Sequence, residues 1–553
     1  MAQGDHQVTR SLGMQTSRTS GPKPAVLAGV VALGCIGLAV VTPMLALVAL
    51  APAMPDLSAD YLGFVWSITK FTLLQAGLST ALSVLAAIPL ARALARQATF
   101  PGRHIVLRLL ALPLALPALV VVLGIVEVWG RQGWISTFAQ ATGLAGPLNI
   151  YGLTGILIAH VFFNMALAAR LLVASLEQIP PENWRLAAQL SFSSRHVFRH
   201  IEWPVIRSAL PGIASLVFML CIASFAVVLV LGGGPGATTL EVAIYQSLRF
   251  DFDPPRAVLL AALQLALCAG LFVLGGRMAT DIAVMSGVGK PARRPDRFAS
   301  RRTDTLVITA GLMFLALPML AIFLSGITAP FSVIVSQSVF WQALVTSFIL
   351  ALTAASLALA MAWSLLAAQR TIMRRRTPSR AASAFVSCMQ ASGSLILVVP
   401  PVVIGAGWFV VLHRTGLANS AAPVIVAIVN ALMALPFALR ILRPAVVGQA
   451  QIHDRLCTSL GLSGLQRWRL IDLPVLARSF ALAFAFAAAL SIGDLGAAAL
   501  FGSADFVTLP LLLLQKMGSY RSVEAAGIAL LLAGFCLGLI WLAEQLKVEA
   551  QTP

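Results

Sequence analysis

Charge is scarce in this chain. Asp and Glu number 20 and Lys and Arg 38 in 553 residues, 10% in all, against 59% hydrophobic residues and a mean hydropathy of +0.91. So few charges cannot cover the surface of a water-soluble chain of this size, which excludes soluble enzymes and binding modules and predicts an all-α polytopic membrane protein. Histidine is sparse too, at 7 residues. No His, Asp and Glu cluster with metal or nucleophile spacing falls in the apolar runs, so a membrane-embedded enzyme would lack a site. The six cysteines (Cys35, Cys221, Cys268, Cys388, Cys457 and Cys536) form no C-x-x-C pair. They read as small packing residues rather than a disulfide or metal framework. A phosphate-cradling loop is also missing. The nearest approach, Gly287-Val-Gly-Lys290-Pro291, has Val284 where the first glycine of a Walker A loop belongs and proline where Ser or Thr belongs.

What is present is apolar and regular. Uncharged runs of roughly 18 residues or more, long enough to span a bilayer, lie at 25–50, 71–90, 109–126, 151–169, 208–231, 257–276, 305–328, 343–368, 392–412, 420–439, 479–501 and 525–543. They predict twelve transmembrane helices. The charge-free stretch 305–369 is divided at Thr328-Ala-Pro-Phe331, because one helix of that length would overrun the bilayer. The net charge of +18 could suggest a nucleic-acid partner, but its distribution argues otherwise. With the N-terminus in the cytoplasm, only Lys70, Arg131, Arg249, Arg256, Arg414, Lys516 and Arg521 of the 38 cations fall outside. That bias predicts both termini in the cytoplasm, with lipid and not nucleic acid as the surroundings of the chain. Ala51-Pro52-Ala53 resembles a cleavage site, but Ala25–Leu50 exceeds the roughly 7–15 residues of a signal h-region, so an uncleaved first helix is expected.

Two stretches 270 residues apart repeat each other: Arg185–Pro204 and Arg455–Pro474. They share Arg185/Arg455, Leu186/Leu456, Leu190/Leu460, Ser193/Ser463, Arg199/Arg469, Ile201/Ile471 and Pro204/Pro474, with an acid next to the isoleucine at Glu202/Asp472. Each is too basic to span, and each predicts a short helix, a Ser/Gly break and a second amphipathic piece at the membrane surface. The longest polar segment, 277–304, lies between them on the cytoplasmic side, so the two six-helix repeats are expected to be parallel. The expected organisation is a tail 1–24, a first half 25–276 with its surface loop at 178–207, the linker 277–304, a second half 305–543 with its loop at 440–478, and a tail 544–553.

The spacing of these loops resembles the cytoplasmic signature of ATP-binding-cassette import permeases: Glu-Ala-Ala, three residues, Gly, nine residues, Ile, one residue, Leu-Pro. Its positions fall on Arg185-Leu186-Ala187, Ser191, Ile201, Trp203 and Pro204, and on Arg455-Leu456-Cys457, Gly461, Ile471, Leu473 and Pro474. The acidic position is Arg in both, so Glu182 or Asp454 would have to supply an acid there, or the pairing is reversed in charge. Longer strings resemble the fused permeases of bacterial thiamine importers: VWGRQGW (128–134), AHVFFN (159–164), SFAVVLVLGGGPGATTLEVAIYQ (224–246), FGSADFVTLP (501–510) and GSYRS (518–522). The resemblance implies a type I importer permease fold in the bacterial inner membrane, whose loops dock on two copies of a cytoplasmic ATPase. ATP and Mg would be held there and no cofactor on this chain. It also implies a periplasmic thiamine-binding protein meeting the external segments 232–256 and 502–524, where Arg249, Asp251, Asp253, Lys516 and Arg521 would be exposed. A ferric-iron permease of the same fold is the alternative, and an ion-coupled transporter of two six-helix halves a more distant one.

Ionisable groups in a bilayer cost roughly 2.5–3.5 kcal/mol on insertion scales and so point to function. Asp494 lies in the apolar run Leu490–Ala497. A carboxylate facing a central path would compensate the fixed charge of a thiazolium; capping a helix break beside Gly493 and Gly496 is the competing reading. His160 and Asn164, four residues apart, share a helix face. Interhelical hydrogen bonding is the plainer role for them and for Asn430, and substrate contact the other. Glu127, beside Trp129 and Arg131, reads as an interfacial residue.

Overall fold

The computed structural model describes residues 24–49, 58–143, 146, 148–278, 294, 300–373, 379–396, 399–462 and 464–545. Apart from residues 24 and 544–545 the two expected tails, with Ala51-Pro52-Ala53 and most of the linker, fall outside the described residues. All regular structure among those described is helical. The first half comprises α1 (Pro24–Ala49), α2 (Ala59–Arg96), α3 (Ala118–Trp129), α4 (Leu153–Glu177), α5 (Pro181–Gln189), α6 (Trp203–Ile222), α7 (Phe225–Leu231), α8 (Leu240–Arg249) and α9 (Pro254–Met278). The second comprises α10 (Arg301–Ile327), α11 (Ser338–Met373), α12 (Pro401–Arg414), α13 (Ala418–Ser459), α14 (Leu473–Gly493), α15 (Gly496–Phe501), α16 (Leu509–Gly518) and α17 (Ser522–Gln545). Short helices link these elements.

Eleven segments among the described residues are long and apolar enough to cross a membrane, where twelve were expected. The run 392–412 is the exception. Pro400 and Pro401 divide it between a helix at Arg380–Leu395 and α12, because proline lacks an N–H and pushes the preceding residue out of helical geometry. Pro117 starts α3 in the same way. With 14 residues α12 is about 21 Å long, short of the roughly 30 Å hydrocarbon core, and α3, with 12 residues and about 18 Å, reaches spanning length only together with the helix Trp134–Ala141 that follows it. Conversely α2, α11 and α13 have 38, 36 and 42 residues and at about 1.5 Å per residue must project beyond it. The loop expected from 440 therefore begins as helix: α13 continues to Ser459. In the first half Pro180 and Pro181 stop α4 at Glu177, whereas the second half has Ala450 and Gln451 in their place and nothing to break the helix.

The halves interlock through their first helices. Helix α1 packs on α11 and α12 of the second half, while α10 packs on α2 and α3 of the first. Each contact is close at a glycine. A Cβ on Gly407 of α12 would lie 2.6 Å from the carbonyl oxygen of Pro43 in α1, and one on Gly124 of α3 would lie 2.5 Å from that of Pro318 in α10. The ten-residue helices α8 and α16 are placed with the same symmetry. Their first amides donate to hydroxyls within long helices: Leu240 N–H to Thr72 Oγ1 of α2 at 3.1 Å, and Leu509 N–H to Ser347 Oγ of α11 at 2.8 Å. Thr72 is thirteen residues into α2, or about 20 Å along it, so α8 starts deep in the bundle.

Candidate functional site

The repeated loops form matching knobs at one end of the bundle, here called the basic face. Helix α5 and the end of α13 each close with a residue at positive φ, Ser191 (49°) and Gly461 (66°). The next amide reaches back across the turn, Phe192 N–H to Ala187 O and Leu462 N–H to Cys457 O, both at 2.9 Å. This is the Schellman stop, in which a left-handed residue lets the chain satisfy the helix's last carbonyls. It explains why the signature has glycine there. Ala187 and Cys457 are buried under the turn, while Leu186, Leu190, Leu456 and Leu460 are half or more exposed. Arg185, Arg199 and Arg469 are exposed as well. Ile201 and Ile471 are half-buried, and Pro204 and Pro474 are exposed at the start of α6 and α14.

A five-residue π turn precedes each of those helices, at Phe198–Glu202 and Trp468–Asp472. Pro204 and Pro474 have no N–H to offer the carbonyl four residues back, and the frame widens instead: Trp203 N–H bonds Phe198 O, and Leu473 N–H bonds Trp468 O. The π turn carries the shared acid inward. Glu202 is fully buried and accepts from Arg92 Nε of α2 at 2.7 Å and from Arg294, whose guanidinium stacks 4.2 Å from the ring of Trp184. Asp472 accepts from Arg370 of α11 at 2.9 Å and from Arg467 at 3.2 Å, and both arginines also reach Asp454, at 2.6 and 2.5 Å. Each knob is thus clamped to the projecting end of a long helix. Asp454 is engaged in its clamp, and Glu182 is the exposed acid of the pair.

Deeper in the bundle, α14 breaks at Asp494. Its carboxylate accepts from the amides of Gly496 (3.3 Å) and Ala497 (3.4 Å) at the start of α15. With the Asn430 amide turned so that both of its ends are satisfied, its nitrogen donates to Asp494 Oδ2 at 3.0 Å and its oxygen accepts from Ser491 Oγ at 2.9 Å. Asn430 and Asp494 therefore form one polar cluster; Asn430 is buried and Asp494 half-buried. His160 and Asn164 do not join it. The His160 ring nitrogen Nδ1 is 2.9 Å from Ser79 Oγ, and the Asn164 amide donates to Cys221 Sγ at 3.3 Å. Both bonds tie helices within the first half. His160 is nevertheless the positional counterpart of Asn430, and Cys221 of Ser491, at the same 270-residue spacing as the loops.

At the opposite face, Phe252 and Tyr520 occupy matching turns after α8 and α16. Both have positive φ (51° and 58°) and are 75% and 95% exposed. Lys516, expected to be exposed, is instead buried and donates to Glu524 Oε2 at 2.6 Å and Gln337 Oε1 at 2.7 Å. Arg249 reaches across the seam between the halves to Gly502 O at 2.7 Å. Among the described residues no three His, Cys, Asp or Glu side chains are grouped as a metal would need.

Sequence reasoning missed the clamps and Glu241. The acid of each clamp was visible as a repeat, but its partners Arg92 and Arg370 lie about a hundred residues upstream in other helices. Glu241 looked external because ten-residue α8 is too short to read as a buried element; it is fully buried.

A family model, the binding-protein-dependent transport system inner membrane component, matches residues 84–284. The thiamine transport system permease protein of Brucella abortus (strain 2308) is 49% identical over 493 residues, 89% of this chain and 89% of that protein. Its counterparts in Escherichia coli (strain K12) and Haemophilus influenzae (strain ATCC 51907 / DSM 11121 / KW20 / Rd) are 45% and 40% identical, covering 87% and 85% of this chain and 89% and 87% of theirs. Identity at that level along nearly the whole chain, together with two signature-spaced loops on one face of a helical membrane bundle, makes this chain a member of the thiamine transport system permease family.

Proposed function

We propose that this chain moves thiamine from periplasm to cytoplasm as the translocation subunit of an ATP-driven importer, with both termini and the basic face in the cytoplasm. The 49% identity over 89% of the chain carries this reading. The paired knobs favour it over ion-coupled transport, which needs no repeated docking loop. Each knob offers two exposed leucines flanked by arginines, and each would seat in one copy of an ATPase subunit that binds ATP and Mg. Drawing the two copies together would pull the clamped ends of α2 and α11 with the knobs and open the bundle toward the periplasm. Phe252 and Tyr520 supply exposed aromatic anchors, the residue type that dominates protein interfaces, for a thiamine-binding protein docking there. Asp494 then meets the cation as it passes.

The test is ATPase stimulation of the reconstituted importer by thiamine-loaded binding protein. Stimulation is expected; none with thiamine but clear stimulation with a ferric-loaded protein overturns the substrate. Asp494→Asn keeps a side-chain oxygen able to cap α15 and removes the charge. Uptake should fall about tenfold, the scale of one lost charge contact, with stimulated ATPase retained. Unchanged uptake would leave Asp494 a helix cap only.

A further inference from the structure

Among the described residues, Glu241 is the least satisfied acid. It is fully buried, and neither carboxylate oxygen makes a hydrogen bond of good geometry. Gln264 of α9 lies beside it, close enough to interact, and is equally buried; neither end of its amide makes a hydrogen bond of good geometry. Two enclosed polar groups side by side with no hydrogen bond of good geometry are costly to keep in a bilayer, where no water can make up the loss. Their position gives them a use. Helix α8 packs against α12 and α15 of the second half, so Glu241 lies at the seam between halves, and Asp494 of the other half is within electrostatic reach. The seam is fastened at the opposite face by Arg249, eight residues along α8, on Gly502 O. Parting the halves there breaks that bond and uncovers the inner end of α8.

We propose that Glu241 and Gln264 form a cation-accepting station, closed in this conformation and uncovered when the halves part at the binding-protein face, from which a cationic cargo passes to Asp494. The carboxylate meets the positive charge, and the amide of Gln264 offers a donor and an acceptor to a polar edge of the cargo. The second half has no copy of this station, because Pro510 holds the position after Leu509 that Glu241 holds after Leu240. The cargo thus meets one acid from each half in turn.

This inference rests on thiamine being the cargo, so the wild-type importer is read first in the same proteoliposomes. If it ignores thiamine-loaded binding protein and answers another loaded protein, the substrate assignment has failed and not the station. With thiamine uptake established, Glu241→Gln should lower it about tenfold while stimulated ATPase persists, and Glu241→Asp should recover most of it. Gln264→Leu, on the other helix, should lower uptake with ATPase likewise intact. Uptake unchanged in both variants, or uptake and stimulated ATPase lost together, overturns the proposal.

Discussion

Ser191 and Gly461 hold the same left-handed turn, and only one of them suits it. A side chain at positive φ crowds the following carbonyl, by roughly 1–2 kcal/mol per residue, and Ser191 bears that at φ 49°. Ser191→Gly should therefore raise the melting temperature of the purified protein without changing stimulated ATPase; a lower melting temperature would mean that the serine side chain stabilises the knob. The sequence made the departure visible, since Ser stands where the signature has Gly, but the strain is a backbone property and appears only with the dihedral angle. Asp494 was legible for a similar reason: a charge within an apolar run stands out. Glu241 did not stand out, because its neighbours Val242, Ala243 and Ile244 fit an external helix as well as a buried one.

Among elements, the two clamps share a plan and differ in redundancy. Among the described ion pairs Glu202 faces Arg92 and Arg294, whereas Asp454 and Asp472 together face Arg370 and Arg467. Glu202→Gln removes a fully buried acid that holds both Arg92 and Arg294, and breaking a buried ion pair from one side costs about 3–5 kcal/mol. Asp454→Asn removes an acid that is 25% exposed and leaves Asp472 in place, which should cost about 1 kcal/mol or less. Melting temperature and ATP-driven uptake should both fall far more in the first variant; equal losses would mean that the clamps do not set the position of the knobs. The spans themselves were legible by length and hydropathy, because burial in lipid selects for those properties directly. The breaks within them were less so. Prolines at 117 and 400–401 could be read as stops, but proline at 211 and 436 sits inside continuous helix, and composition does not distinguish the two cases.

At the scale of the molecule, the duplication was readable from two twenty-residue stretches, but the exchange of first helices was not, because it depends on contacts between α1 and α10 and residues some hundreds of positions away. That exchange makes a prediction about assembly. If the chain is cut within 279–293 and the two parts are produced together, α1 still belongs with α11 and α12, and α10 still joins α2 and α3 to its own α17. Arg294 remains on the second part, within reach of Glu202 and Trp184 on the first. A tag on the first part should therefore retrieve the second, and either part made alone should be unstable. The glycine contacts give the means to test the cause. Valine at 407 or 124 forces a side chain to within about 2.6 Å of a proline carbonyl, and overpacking of this kind costs typically about 1–3 kcal/mol. The two contacts share no residues, so the costs should add, giving about 2–6 kcal/mol and a loss of about thirtyfold or more in association of the parts, at about 1.4 kcal/mol per factor of ten. Gly407→Val or Gly124→Val alone should weaken retrieval, and the double variant should nearly abolish it. Full retrieval by the double variant, or none with the unsubstituted parts, would show that the halves are held by something other than their exchanged first helices.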